Sequence, residues 1–300
     1  MAFSRLGLET ARIPHADRHG LLWLGRGNLV VEAGTLHFLT AGTMDMTAGD
    51  HQIPYQGISL LLLGPGCTIS HDALRLLARH GTGLAAVGED GVRLYTAPPL
   101  GPGDSALSRQ HARVWAESSA ERIRIARRMY AWRLGEILPI KRDIAILRGM
   151  EGARMKETYK LLAQRFGIDW HGRNYDRQNP DATDLPNQAI NHAATAVEAA
   201  ATIAVAATGA IPSLGFIHED SANAFCLDIA DLYRDQITLP SAFQGVRNHQ
   251  RQPHIDLERH VRRLCGQTFR QEGVIPSMID RIKQLFLPEE PQGSGGGTSQ

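Results

Sequence analysis

Apolar positions change their period partway along the chain. Up to about residue 96 they come in short runs, Leu21–Leu24, 29–32 and 36–39, separated by Gly25, Gly27 and Gly34 as turn residues. Ile58-Ser59-Leu60-Leu61-Leu62-Leu63 reads as a buried strand closed by Gly64-Pro65-Gly66. Ser70 is placed to cap a short helix over 72–79, and Gly81 to stop it. Residues 84–87 and 92–96 flank Glu89-Asp90-Gly91 as an expected hairpin. The Pro/Gly run 98–103 breaks the pattern, and helical periodicity follows. Helices are expected over 105–135, from Pro139, over 150–166 up to Gly167, and over 187–208 up to Gly209. Others are expected over 222–234, 254–269 and 276–286, with a polar loop at 173–186.

This order predicts an α+β protein. An N-terminal β-domain (1–97), sheet-rich with one short helix, is joined by a linker (98–106) to an α-helical domain (107–287). The Gly/Ser-rich tail 288–300 reads as disordered.

A hydrophobic content of 43% excludes global disorder. The net charge of +1 hides a basic stretch from Arg109 to Arg165, which suits either a polyanionic partner or a salt-bridged helix face. Cys67, Cys226 and Cys265 are odd in number and form no CxxC, which argues against a zinc ribbon or disulfide framework and fits a reducing cytoplasm. The first sixteen residues hold no continuous apolar run of the secretory kind. The apolar stretch 189–207 is dominated by Ala and interrupted by His192 and Glu198, so a packed internal helix is expected and no membrane partner.

The candidate chemistry lies in two runs. Gly215-Phe216-Ile217-His218 precedes Asp228-Ile229-Ala230-Asp231, and Leu147-Arg148-Gly149-Met150-Glu151-Gly152 opens a helix upstream. Asp228 and Asp231 share one helix face in an apolar frame, where an arginine or a metal would offset their charge. His218 ends a strand-like run, 214–217, where a hydrogen-bonded structural role is equally open. Glu151 at a helix start would be favoured by the dipole alone. Taken jointly, oxygen and imidazole ligands amid arginine suit a divalent metal acting on phosphate.

Leu147-Arg148-Gly149-Met150-Glu151-Gly152-Ala153-Arg154, with Thr158-Tyr159-Lys160-Leu161-Leu162-Ala163 after it, resembles the CRISPR-associated integrase of spacer acquisition, CRISPR-associated protein one of subtype I-E. Tyr175-Asp176, Asn187-Gln188 and the two downstream runs follow in matching order, and Gly64-Pro65-Gly66, Ser70-His71, Gly81-Thr82 and 88–93 add N-terminal matches. The resemblance implies that the helical domain is catalytic. It implies that Glu151, His218 and Asp231 are catalytic and bind Mg²⁺ or Mn²⁺, with Asp228 as a fourth ligand. It also implies a homodimer, two of which flank a dimer of a small second CRISPR adaptation protein.

The implied activity is that of a metal-dependent DNA endonuclease and integrase. Prespacer duplex DNA is joined to the CRISPR repeat by 3′-OH attack on a phosphodiester. Arg93, Arg148 and Arg234 resemble the family's basic residues near the site or the DNA, and Arg75, Arg173, Arg247, Arg259, Arg262 and Arg263 are further phosphate-contact candidates. Two family tyrosines are missing. Leu24, beside Trp23 and Arg26, stands where a stacking tyrosine is expected, and another is replaced near Glu198. The alternative is a non-catalytic DNA-binding scaffold subunit of the same kind of complex. An unrelated helical enzyme using Glu and His for acid–base work would need neither metal nor clustered arginine.

Overall fold

The computed structural model describes residues 20–43, 46–96, 106–135, 144–174 and 184–286. Residues 98–105 of the expected linker, the start of the helix from Pro139 (139–143), Tyr175-Asp176 and the tail 288–300 lie outside the described residues. The chain is sheet-rich at its N-terminal end and mostly helical thereafter, as the change of period predicts.

Strands β1 (Leu21–Leu24), β5 (Leu60–Leu63) and β7 (Gly83–Ala86) form a parallel sheet in the order β1-β5-β7. Strands β2 (Gly27–Glu32), β3 (Thr35–Thr40), β4 (Gly49–Ile53) and β6 (Cys67–Ile69) form a second sheet in the order β4-β3-β2-β6. All four leucines of β5 are buried because both faces of that central strand are covered. Alternation sends Leu61 and Leu63 into a small core with Leu29, Leu36, Phe38 and Leu77, while Leu60 and Leu62 face the helical core. The parallel sheet therefore belongs to both cores.

Helix α1 (His71–His80) is capped as expected: the Ser70 hydroxyl accepts the Ala73 amide, and Gly81 ends the helix at φ 65°. The expected hairpin is reduced to one isolated bridge, Val87 to Leu94, because a 3₁₀ turn at Glu89–Gly91 follows β7 and β7 pairs with β5. β4 and β6 were not anticipated.

The expected helix 105–135 is two, α2 (Ala106–Glu117) and α3 (Ser119–Leu134). Ser118 takes extended geometry and its hydroxyl accepts the Glu121 amide, the S-x-x-E signature of a helix start inside a continuous apolar pattern. Helix α4 (Ile144–Phe166) begins before the expected residue 150, which puts Glu151 about two turns inside it and removes the dipole argument for that carboxylate.

Helix α5 (Leu185–Thr208) is long and apolar enough to cross a membrane by length and composition. In this structure it is the central helix, packed by α6 (Ala224–Asp231), α7 (Leu239–Arg251), α8 (Leu257–Gln271) and α9 (Val274–Leu285). Its alanines let these neighbours approach closely. Helix α7, over a stretch with no assigned element, and a π-type turn at Arg234–Thr238 were also unanticipated. The three cysteines are free, and burial raises the Cys226 and Cys265 thiols to about 11 and about 12.

Candidate active site

The expected strand at 214–217 is a loop between α5 and α6, and its geometry follows from one buried carboxylate. Asp228 on α6 has no exposed surface. Its Oδ2 accepts the amides of Phe216 (2.6 Å) and Ile217 (3.1 Å), and its Oδ1 accepts the His218 amide (2.9 Å) and His218 Nδ1 (2.7 Å). A strand ladder would have taken these amides elsewhere. Gly215 is required where the loop doubles back, since a Cβ there would run into the His218 carbonyl and Ala224.

Because Asp228 accepts from Nδ1, that nitrogen carries the proton and Nε2 presents its lone pair outward. The Asp228 hydrogen bond raises the His218 pKa, and burial only partly opposes this. Nε2 stands 3.9 Å from Asp231 Oδ2 at the end of α6. Asp228, expected among the metal ligands, thus sits behind the histidine with both oxygens engaged, a supporting position.

Glu151 reaches the same place from α4. The Arg133 guanidinium, 5% exposed, lies between the two outer carboxylates, with Nη2 2.6 Å from Glu151 and Nη1 3.3 Å from Asp231. The Asp231 contact is a hydrogen bond, whereas Nη2 is not aligned to donate to Glu151, so charge alone holds that pair. Arg234 adds a 3.2 Å contact to Asp231. Burial raises the Glu151 pKa, with Arg133 pulling it back, and burial likewise raises Asp235 in the π-type turn.

Arg133 and Asp235 were not singled out in the sequence. Arg133 stands four residues after buried Met129, on the apolar face of α3, and a cation at a core position was the available signal.

Two carboxylates and an imidazole with a free Nε2 fit a divalent cation by donor chemistry. They are not drawn together as a tight trio. Among the described residues, the group whose ligand atoms all lie within 4.8 Å of one another is Glu32, His37 and Asp50, on the exposed surface of the second sheet. There both His37 nitrogens are already engaged, by Asp50 (2.9 Å) and Thr35 (2.8 Å).

The expected DNA-contact arginines separate by position. Arg148 is exposed one turn before Glu151. Arg93 and Arg262 converge on Glu258 of α8, whose Arg259 and Arg263 are exposed. Arg247 lines a cavity of about 410 Å³ with Arg165 and Arg251. Arg173 donates to Asn187 (2.9 Å) and Asn191 (2.7 Å), tying it into the start of α5. Arg75 lies on α1 and pairs with Asp72 at 3.0 Å. Leu24, at the expected tyrosine position, is fully buried in β1; Trp23 is half-buried and Arg26 exposed.

A family model described as CRISPR associated protein Cas1 matches residues 133–263, a span that contains Arg133, Glu151, His218, Asp228 and Asp231. The CRISPR-associated endonuclease Cas1 of Geobacter sulfurreducens is 35% identical over 91% of this chain and 86% of its own length. The Escherichia coli K12 protein of the same name is 32% identical over 93% and 88%. The crystal structure of the TtCas1–DNA complex superposes with a TM-score of 0.78 at 32% identity, covering 91% of this chain and 99% of that one.

Proposed function

This chain belongs to the Cas1 family of CRISPR-associated endonucleases, and on that premise we propose that it is a metal-dependent DNA endonuclease and integrase acting through Glu151, His218 and Asp231. The observation that carries the reading is the buried Asp228, which fixes the His218 tautomer and directs Nε2 toward Asp231. Mg²⁺ or Mn²⁺ held by Glu151, His218 Nε2 and Asp231 would polarise the phosphoryl oxygen of the attacked phosphodiester.

Each residue then has a stated part. Asp228 orients the imidazole. Arg133 and Arg234 neutralise the carboxylates before substrate arrives, and afterwards face the phosphate charge. Glu151 and His218 both have raised pKa values, so protons compete for the ligand atoms and cation binding strengthens as pH rises. Joining forms a bond from a DNA 3′-oxygen to phosphorus and breaks the existing 3′-oxygen–phosphorus bond, which releases a new 3′-OH. Attack by water at the same phosphorus gives cleavage.

Arg93, Arg148 and Arg234, with the arginines of α8, are the phosphate contacts this reading favours. Arg173 is a weaker candidate because two hydrogen bonds tie it into the start of α5, and Arg75 because it lies on α1 of the sheet-rich region while the site residues lie on α4, α6 and the loop before α6. We assign subtype I-E on the sequence runs around Glu151 and His218. The working unit is a homodimer, two of which flank a dimer of the small second adaptation protein, on prespacer and repeat DNA in the cytoplasm. The non-catalytic scaffold reading gains from one observation: Arg133 and Arg234 already neutralise Glu151 and Asp231.

Strand cleavage and strand transfer of labelled branched DNA, with Mn²⁺ and with EDTA, decide between these readings. The enzyme reading expects activity that EDTA abolishes and that Glu151→Ala and His218→Ala lose while DNA affinity stays within about threefold. Undiminished activity in either variant would contradict the site, and inactivity of the wild-type chain with intact DNA binding would favour the scaffold.

A further inference from the structure

The amides of the His218 loop go to Asp228, but its carbonyls go to a different element. Ser108, His111 and Trp115 on α2 follow at i, i+3 and i+7, so they form one stripe along the helix. Ser108 donates to the Gly209 carbonyl at the end of α5. His111 Nε2 donates to the Leu214 carbonyl (2.8 Å), and its Nδ1 accepts the Ile211 amide (3.2 Å). Trp115 Nε1 donates to the Gly215 carbonyl at 2.9 Å. The Trp115 ring also carries Arg122 at 4.7 Å, and Arg122 pairs with Glu219 at 2.6 Å, directly after His218.

The contacts therefore follow the chain in order from Gly209 to Glu219, with His218 near their far end. His111 can serve both partners only as the neutral Nε2–H tautomer. It is fully buried against Phe216, Phe225 and Phe286, and that burial lowers its pKa to about 4. A residue needed only for packing would not require a donor on one side and an acceptor on the other. Phenylalanine would fill the same aromatic box without a desolvated polar ring.

We propose that the α2 stripe, His111 and Trp115 above all, positions the His218 loop for the reaction, clamping its carbonyl side while Asp228 clamps its amide side. These are positioning residues acting through His218, and the proposal rests on the assignment of His218 to the reacting site. Loss of the clamp should lower turnover with little effect on DNA binding, because no residue of the stripe is among the arginines assigned to phosphate.

The test uses the full-length chain with His111→Phe and Trp115→Phe, which keep the aromatic packing and remove the hydrogen bonds, and His111→Gln, which restores a donor and an acceptor. Mn²⁺-dependent cleavage of branched DNA should show kcat lower by about tenfold or more with KM within about twofold, and His111→Gln should recover part of it. Native-state hydrogen exchange should show the amides of Phe216, Ile217 and His218 exchanging about tenfold faster while α5 and α9 are unchanged. Unaltered loop exchange, or acceleration of all amides together, would overturn the proposal. Should His111→Phe not fold, Trp115→Phe alone decides. If the wild-type chain has no metal-dependent activity, the site assignment fails, and the exchange comparison still judges the clamp.

Discussion

His218 is held by hydrogen bonds to a fully buried carboxylate, whereas Glu151, on the other side of the same site, is held by a largely buried ion pair to Arg133 that no aligned hydrogen bond supports. The His218 side has fixed backbone, a fixed tautomer and satisfied donors, so removing any part leaves buried groups without partners. On the Glu151 side, opposite charges share one gap and either partner can be exchanged for another. A site that must receive a cation and a phosphate needs both kinds of construction: a rigid ligand that sets direction, and a carboxylate whose present countercharge can be displaced.

The comparison breaks most sharply at Asp228. Asp228→Asn replaces an acceptor oxygen with a donor facing backbone amides, and unfolding in urea should show a loss of about 3–5 kcal/mol. A loss below about 1 kcal/mol would mean that the loop is held elsewhere.

The His111 clamp makes the His218 half sensitive to acid. Its folded pKa of about 4 lies below the ordinary value of 6.5, so the unfolded chain binds the proton first. This contribution to stability is present above pH 6.5 and is lost as pH falls toward 4. The cost of charging buried His111 corresponds to about 3 kcal/mol across that window. Denaturation midpoints between pH 4 and 7 should show the slope, and His111→Gln should flatten it.

The Glu151 half should respond in the opposite sense to loss of its partner. Arg133→Gln removes the competing cation, and Mn²⁺ binding by calorimetry should tighten on the order of tenfold, the equivalent of one pKa unit of charge interaction. Weaker binding in this variant would show that Arg133 supports the ion. The smallest effects lie on the surface. Arg148→Ala should reduce the salt slope of DNA binding by about 0.9, one phosphate contact. Arg75→Ala breaks an exposed pair and should change stability by less than about 0.5 kcal/mol.

These contrasts also explain what could be read from the sequence. The change of apolar period, the Ser70 and Gly81 caps and the Ala-rich α5 were legible because local pattern determines them. The break at Ser118 was hidden because the apolar stripe continues through it, and α7 was missed although Pro240 stands in its first turn, because the π-type turn at Arg234–Thr238 leads directly into it. At the site, residue types and chain order pointed to Glu151, His218 and Asp231. Nothing local could assign Asp228 to the space behind His218, since three of its partners are amides that any sequence would carry and the fourth, the His218 imidazole, reaches it only once the loop is folded. Arg133 left only the signal of its place on the apolar stripe, four residues after Met129; among many arginines, the packing of α3 shows that this one is buried.

The most direct test of the account is where Mn²⁺ binds. Anomalous diffraction from crystals of the full chain grown with Mn²⁺ should place one ion against His218 Nε2 with Glu151 and Asp231, and no such peak should remain in His218→Ala. An ion found only at Glu32, His37 and Asp50, with Arg133 still bridging Glu151 and Asp231, would contradict it.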